Sequence, residues 1–243
     1  MPSVLAYHRP GTLEEASTLL AGLNRRALGG GTVAVPEARV LTDDGVELVD
    51  LQALGLDSID VSAEAARLGA MVRVGAIAAD DRMPELCRDL ARRELPSALR
   101  NQATVGGTVA LADPDSVLLA GLLVCEASVE LHGKPPVSLG NLLMSGIGDG
   151  LITHVQIQTG GVGLTAATGR TPADVPIVSA TARRALNGDV SLALTGVAST
   201  PVLADPDDPT SGLEPTADFR GSSDYRLHLV EVLVGRVLDG LAS

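Results

Sequence analysis

Two short glycine clusters are the residues of this sequence best suited to chemistry. The first, L-G-G-G-T-V-A-V-P, spans 28–36, and the second, A-T-V-G-G-T-V-A, spans 103–110. Because glycine has no Cβ, its backbone N–H groups can converge on one point, and a neighbouring threonine hydroxyl adds another donor. Such loops favour an anion, and a diphosphate is the guest that a pair of them would suit.

Neither cluster matches a common phosphate motif. No lysine follows the glycines, which excludes a P-loop, and the sequence lacks the G-x-G-x-x-G fingerprint of a Rossmann dinucleotide-binding unit. Either cluster in isolation is more often a tight turn that binds nothing. The diphosphate interpretation therefore depends on what surrounds the two clusters.

The other residues that could hold a metal are scattered. The histidines are not spaced as metal ligands usually are, so each is interpreted as structural or exposed. They are His8, His132, His154 and His228. Cys87 and Cys125 are the only cysteines, and a zinc or iron–sulfur site needs roughly four ligands. Both lie in apolar helical stretches, which predicts buried thiols without a metal-binding or catalytic role.

Composition excludes some classes of function. The formal net charge is −12, so binding to nucleic acid, which needs clustered cations, is not expected. The sequence has only three aromatic residues, Tyr7, Phe219 and Tyr225, so its core must be aliphatic. The first ten residues do not resemble a secretory leader, and no apolar run approaches the ~20 residues that a transmembrane helix needs. These features favour a soluble, cytoplasmic protein.

The elements needed to position the clusters follow from periodicity and capping signals. Helices are predicted at 12–21, 84–95, 117–124 and 225–241, and strands at 46–51, 68–74, 127–131, 151–159, 176–184 and 190–197. Thr12 and Glu15 fit a capping box, and Ser223 or Asp224 is the predicted cap of the last helix. Residues 205–215 are a polar, proline-rich loop. Helices and strands are mixed rather than strictly alternating, which favours an α+β fold.

Several segments resemble one family in the correct order along almost the whole chain. The first cluster resembles the A-G-G-T-D-L-L-P loop of the FAD-binding middle subunit of the molybdenum hydroxylases, the family of carbon monoxide dehydrogenase and xanthine dehydrogenase. The segment L-R-N-Q-A-T-V-G-G-T-V-A-L-A-D-P resembles the family's I-R-N-x-A-T-I-G-G-N-L-A-x-A-D-P. The segments at 46–51, 66–70, 170–180 and 219–236 also resemble the family, and the last of these is quite specific.

The resemblance implies a two-subdomain PCMH-type FAD-binding fold, followed by a C-terminal α/β domain of the carbon monoxide dehydrogenase flavoprotein type. The implied boundaries are 1–55, 56–159 and 160–243. In the family, the two loops hold the FAD diphosphate between the first two subdomains. Carried across residue by residue, the cofactor-binding residues are Gly29, Gly30, Gly31, Thr32, Thr104, Gly106, Gly107, Thr108 and Asp113. No catalytic acid, base or nucleophile is implied, because the flavin carries the redox chemistry.

The resemblance also implies a division of labour among subunits. A small partner subunit with [2Fe–2S] clusters would supply electrons that originate at the molybdopterin centre of a large subunit. The FAD in this chain would pass them to an external acceptor. A dimer of such heterotrimers is expected from the family.

Three departures leave alternatives open. Val33 stands where the family has a polar residue after its glycines, and Val117 stands where it has an aspartate that contacts the nucleotide. The stretch 163–169 lacks the family's aromatic residue and lysine near the isoalloxazine. One alternative is a flavin-free subunit that serves as a scaffold in the same complex. Another is a stand-alone flavin oxidoreductase or a binder of another nucleotide.

Overall fold

The computed structural model describes residues 4–40, 45–148, 150–169 and 174–242. Its elements form three consecutive groups, each built around one β-sheet. The first group comprises β1 (Val4–His8), α1 (Leu13–Leu20), β2 (Arg25–Leu28), α2 (Ala34–Val40) and β3 (Val46–Asp50). Its strands are parallel in the order β1-β3-β2. Their carboxyl ends therefore share one edge, and β2 runs from that edge directly into the first glycine cluster.

The second group is a five-stranded antiparallel sheet with its helices. It comprises β4 (Ile59–Val61), β5 (Ala65–Gly69), α3 (Val74–Ala79), α4 (Glu85–Glu94), α5 (Ser97–Arg100), α6 (Val105–Leu111), α7 (Val117–Val124), β6 (Ser128–Leu131), β7 (Val137–Ser138), α8 (Leu139–Ser145) and β8 (Ile152–Gln158). The strand order is β4-β5-β8-β6-β7. The second glycine cluster belongs to this group, at the start of α6.

The third group is a four-stranded antiparallel sheet with one long helix. It comprises β9 (Val162–Thr168), β10 (Val178–Arg184), β11 (Val190–Thr195), β12 (Val202–Ala204) and α9 (Ser223–Ala242). The strand order is β12-β11-β10-β9, and α9 packs on β9 and β10. Buried aliphatic residues of α9, among them Val230, Leu233 and Val237, form a core with this sheet.

Helix α7 joins the second group to the third. All eight of its residues are buried, and it packs against α4 as well as against β10 and β11. A helix that is apolar on every side is stable only when protein surrounds it, because no face of it can be hydrated favourably. The sequence prediction of a buried helix at 117–124 is therefore confirmed, and its burial arises from helix α4 of the second group and from the sheet of the third group.

Most predicted elements are confirmed, as is the α+β class. The Thr12 side chain accepts a hydrogen bond from the Glu15 N–H at 3.1 Å, as a capping box requires. The Glu15 carboxylate returns to the N–H of Gly11 rather than to that of Thr12. Within the described ranges, no helix is both long enough and apolar enough to cross a membrane.

The predicted strand at 68–74 is wrong from residue 70 onward, since only its first two residues lie in a strand. Strand β5 ends at Gly69, and the N–H of Val72 turns back to the Gly69 carbonyl at 2.9 Å. A Cβ on Gly69 would overlap the carbonyl oxygen of Leu56, so the chain passes too close to its neighbour for a larger residue. The turn then leads into α3, which the pattern of aliphatic residues did not distinguish from a strand.

The cap of the last helix is also corrected. Helix α9 begins at Ser223, and Ser222 rather than Ser223 or Asp224 caps it, since the Ser222 hydroxyl accepts from the N–H of Tyr225 at 3.2 Å. Strand β9 was not predicted, and it pairs with β10 from Val162 to Thr168. Residues 170–173, which begin one of the segments that resemble the family, lie outside the described residues.

Candidate functional site: two glycine clusters in contact

The first cluster is a tight crossing from strand to helix. Leu28, the last residue of β2, pairs with Asp50 at the end of β3, and its carbonyl accepts from the N–H of Leu51 at 3.1 Å. Gly31 has a φ of +72°, a conformation that L side chains rarely adopt. Helix α2 begins at Ala34, so the whole crossing takes five residues. Glycine is required at its centre.

The structure brings the two predicted clusters into contact. A Cβ on Gly30 would overlap the carbonyl oxygen of Gln102 and stand 2.9 Å from the Cα of Ala103. A Cβ on Gly29 would stand 2.8 Å from Oγ1 of Thr104. The backbone of the first cluster therefore lies directly on the segment that precedes α6, and this contact requires the absence of a side chain.

The first cluster leaves backbone donors available. Within the part of the chain that the structure describes, no hydrogen bond begins at the N–H of Gly30, Gly31 or Thr32. Among the described residues, the hydrogen bonds that anchor the cluster to α2 are accepted by its carbonyls, from the N–H of Val35 at 3.4 Å and of Glu37 at 3.0 Å. Three consecutive free amides beside the Thr32 hydroxyl form an arrangement that can bind an anion.

The second cluster begins a helix rather than forming a loop. Thr104 is the N-cap of α6, and its Oγ1 accepts from the N–H of Gly107 at 3.1 Å. The Thr104 carbonyl accepts from the N–H of Thr108 at 2.9 Å and from its hydroxyl at 3.1 Å. These bonds satisfy two of the amides that a ligand could otherwise have used.

Two further amides of the second cluster are also occupied. The N–H of Val105 donates to the Val72 carbonyl, and that of Gly106 donates to the Ala70 carbonyl, both at 2.9 Å. A Cβ on Gly106 would stand 2.8 Å from both Cβ and O of Ala70. In this structure the amides of Val105, Gly106 and Gly107 bond within the protein, and the binding of FAD by the second cluster stays a prediction. Its glycines permit close packing, and Thr104 retains a hydroxyl hydrogen beside Gly29.

Asp113 lies beyond the opposite end of α6 from Thr104, and the seven residues of α6 alone span roughly 10 Å along the helix axis. It is exposed and follows Ala112, which has a φ of +51°. Its Oδ1 accepts from the N–H of Asp115 at 2.9 Å, and its carbonyl accepts from the N–H of Ser116. Within the part of the chain that the structure describes, the other carboxylate oxygen accepts no hydrogen bond. Asp113 thus does not lie within the contact between the clusters.

The turn that carries Asp113 is held by charged residues of the last segment. Arg220 donates to Asp115 at 2.8 Å and to Asp218 at 3.0 Å, and Arg226 contacts Asp218 at 2.7 Å. Arg226 is buried and also donates to the carbonyl of Gly196 at 2.6 Å. The bond from Arg226, followed by that from Arg220, holds the pKa of Asp218 well below its ordinary value. Sequence reasoning found this segment only through its resemblance to the family.

Glu94 supports the same turn from the other side. Its carboxylate accepts from the Ser116 hydroxyl at 2.6 Å and from the N–H of Leu118 at 2.8 Å, so it caps the beginning of α7. Desolvation raises the pKa of Glu94, and the two hydrogen bonds oppose that rise. No signal in the sequence marked this residue, because its partners are more than twenty positions away.

A buried carboxylate lies at the sheet edge where the first cluster begins. Asp50, 2% exposed, accepts a hydrogen bond from the Tyr7 hydroxyl and another from the N–H of Gln52 at 3.0 Å. The hydrogen bond between the Tyr7 hydroxyl and the Asp50 carboxylate raises the pKa of Tyr7. Arg9 lies 3.9 Å from the carboxylate. The group fixes the turn after β3, and sequence reasoning noted it only as the end of a strand.

The positions that depart from the family's pattern have packing roles. Val117 is the first residue of α7 and is buried in the core. The stretch 163–169 is mostly β9, where a Cβ on Gly163 would overlap the side chain of Leu86 in α4. Val33 is half-buried and begins the approach to α2. At 163–169 and at Val117, packing contacts within the protein stand where the family's pattern has polar side chains that contact the cofactor.

The comparison that decides the family covers both clusters. A family model described as "FAD binding domain in molybdopterin dehydrogenase" matches residues 3–143, which include every predicted cofactor-binding residue. The chain belongs to this family. It is therefore an FAD-binding domain of an oxidoreductase family, as the resemblance implied. A curated relative, "Uncharacterized protein YgfM" of Escherichia coli K12, is 29% identical, and the match covers 94% of this chain and 93% of the relative.

Solved structures share the fold over the whole length. A chain of the carbon monoxide dehydrogenase from Hydrogenophaga pseudoflava matches with a TM-score of 0.89 at 21% identity, over 98% of this chain and 97% of that one. Carbon monoxide dehydrogenase from Oligotropha carboxidovorans gives 0.87 at 24% identity, over 98% of each chain. Quinoline 2-oxidoreductase from Pseudomonas putida 86 gives 0.85 at 23% identity, over 98% and 96%. The chain therefore shares the α+β fold of these carbon monoxide dehydrogenase and quinoline 2-oxidoreductase chains, as the resemblance implied.

Proposed function

We propose that this chain is the FAD-binding electron-transfer subunit of a multi-subunit molybdenum hydroxylase. It accepts electrons from an iron–sulfur partner subunit and passes them through its flavin to an external acceptor. The family and the whole-length likeness to chains of carbon monoxide dehydrogenase and quinoline 2-oxidoreductase support this assignment. The observation that carries it is the contact between the two glycine clusters, with free amides on the first.

The residues at this contact fit the diphosphate of FAD. The free N–H groups of Gly30, Gly31 and Thr32 would hold its oxygens, and the hydroxyls of Thr32 and Thr104 would add donors. Since a Cβ at Gly30 would fill the space between the clusters, only glycine allows this approach. FAD supplies the redox chemistry when bound, and the protein supplies position and electrostatics.

The division of the chain follows its three sheets. We propose a first FAD-binding subdomain at 1–55, a second at 56–159 and a C-terminal flavoprotein domain at 160–243. The iron–sulfur small subunit and the molybdenum large subunit are the proposed partners, in a dimer of heterotrimers in the cytoplasm. In this assembly the C-terminal domain supports the Asp113 turn through Arg220 and Arg226.

The direct test is the visible absorption spectrum of the protein purified together with its partner subunits. Flavin bands that disappear on anaerobic reduction by substrate of the complex would support electron transfer through this chain. A complex that assembles without a flavin band, and acquires none when FAD is added, would contradict the proposal and indicate a flavin-free scaffold. Turnover by the isolated chain would indicate a stand-alone oxidoreductase instead.

A further inference from the structure

Two cysteines that are far apart in sequence have adjacent sulfur atoms in the core. Cys87 lies in α4, and Cys125 immediately follows α7. Their Sγ atoms are 3.8 Å apart although 38 positions separate them. The exposed fraction is 0% for Cys87 and 1% for Cys125, so the predicted burial is confirmed. No pattern in the sequence indicated that the two thiols would meet.

The close approach of α4 and α7 explains the pairing. A Cβ on Gly121 would overlap the side chain of Leu90, so the backbone of α7 at Gly121 lies directly against the Leu90 side chain of α4. Gly121 and Cys125 are four residues apart, and Cys87 and Leu90 are three apart, so each pair shares one helix face. The contact between the helices therefore brings the two thiols together.

The surroundings make the two sulfur atoms chemically different. Arg183 is buried and donates to the carbonyl of Val124 at 3.1 Å and to the Glu126 carboxylate at 3.2 Å, on either side of Cys125. The hydrogen bond from Cys87, and then the Arg183 guanidinium, lower the pKa of Cys125. The same hydrogen bond, together with burial, raises the pKa of Cys87. Cys125 is therefore the thiol that ionises first and becomes the nucleophile.

We propose that Cys87 and Cys125 form an oxidisable dithiol that a peroxide converts into an intrachain disulfide. The Cys125 thiolate attacks one oxygen of hydrogen peroxide, the O–O bond breaks, and the products are a sulfenic acid at Cys125 and hydroxide, which takes up a proton. The Cys87 sulfur then attacks the sulfenic sulfur, an S–S bond forms, and water leaves with the Cys87 proton. Two thiols are oxidised by two electrons, and one peroxide is reduced to two waters.

The position of the pair gives this oxidation a structural consequence. The segment between Cys87 and Cys125 contains α5, the second glycine cluster and Asp113. A disulfide would link the two ends of this segment, while the sulfurs would move from 3.8 Å to about 2.05 Å apart. The link would restrict the unfolded chain, so the oxidised protein should unfold at a higher temperature. This inference does not depend on bound FAD.

The test uses the full chain purified under reducing conditions and freed of reductant. It is treated with hydrogen peroxide, denatured, alkylated and digested with trypsin. The expected product is peptide 83–88 linked to the peptide that begins at Asn101. Its mass should be that of the two peptides less two hydrogen atoms, and neither cysteine should be alkylated. Dithiothreitol should restore both thiols, and the oxidised form should have a Tm higher by roughly 5 °C or more.

Three results would overturn the proposal. The first is two intact thiols after the same peroxide has oxidised free glutathione in a parallel tube. The second is sulfinic acid at either cysteine without a linked peptide, and the third is a disulfide between two chains. Because this experiment needs no substitution, it stands even where a variant fails to fold.

Two single variants test the order of the steps. Cys87→Ser retains a hydroxyl donor beside Cys125, and Cys125→Ser leaves Cys87 alone in its apolar position. With a sulfenic acid trap such as dimedone present, we expect Cys87→Ser to be labelled several-fold faster than Cys125→Ser. Faster labelling of Cys125→Ser would contradict the assignment of Cys125 as the attacking sulfur.

Discussion

The two glycine clusters have nearly the same sequence and opposite roles. In the first, the amides of Gly30, Gly31 and Thr32 have no acceptor within the described ranges. In the second, the amides of Val105 and Gly106 donate to carbonyls of the turn that follows β5, and that of Gly107 donates to the capping Thr104. One cluster is therefore suited to bind, and the other to position what binds. The shared pattern of glycine next to threonine does not distinguish these roles. The backbone N–H groups that remain without an acceptor in the protein do distinguish them.

The largest expected effect is that of Gly30→Ala on FAD binding. The new Cβ would overlap the Gln102 carbonyl, which is backbone and cannot rotate away, so the clusters must separate. We expect the Kd for FAD, measured by quenching of flavin fluorescence, to increase at least about 100-fold, or ~3 kcal/mol. Gly235→Ala is the matched control, because Gly235 lies in α9 with nothing within 4 Å of a Cβ. Equal affinity in both variants would refute the role of the first cluster.

The next effect concerns the second cluster and stability. In Gly106→Ala the Cβ would stand 2.8 Å from Ala70, so overpacking should lower the free energy of unfolding by about 1–3 kcal/mol. The FAD affinity of the folded fraction should change less than about threefold, since the Gly106 amide is already bonded to Ala70. Chemical denaturation and FAD titration measure the two quantities. A large loss of affinity with unchanged stability would reverse the roles assigned to the two clusters.

The two threonines sharpen the same contrast. Thr104 caps α6, so Thr104→Val should lower the free energy of unfolding by about 1 kcal/mol, and Thr104→Ser should restore most of it. Thr32 has no intrachain hydrogen bond among the described residues, so Thr32→Val should leave Tm unchanged. It should weaken FAD binding about 5–10-fold through one lost donor. If Thr32→Val lowered Tm instead, Thr32 would have a structural role.

Local signals were enough to predict elements whose causes are local. The Thr12 cap, the apolar helix at 117–124 and the strand at 46–51 follow from residues within one window, and the structure has all three. The contact between the clusters could also be predicted, because the resemblance placed both loops around one ligand.

What sequence could not give depends on distant partners. The amide of Val105 is occupied by Val72, and the turn at 70–73 is set by contacts with Leu56 and Thr153. Strand β9 exists because β10 pairs with it, since its own residues show no clear alternation. The two cysteines meet because Gly121 lets two helices approach closely. Each case is a tertiary contact that overrides or completes a weak local preference.

The smallest expected effect separates the Asp113 turn from the clusters. Arg226 and then Arg220 lower the pKa of Asp218, so below about pH 4 the unfolded chain binds the proton that the folded protein excludes. The stabilisation is therefore complete above pH 4 and is lost as the pH falls through the folded pKa.

In Asp218→Asn, Tm at neutral pH should drop by a few degrees, and the difference from wild type should shrink as the pH falls from 4 towards 2. Exposed Asp57 serves as the control, since Asp57→Asn should parallel wild type. A difference that stays constant with pH would show that the ion pair with Arg226 does not contribute. FAD affinity at neutral pH should change less than twofold, because the free amides of the first cluster do not involve this segment.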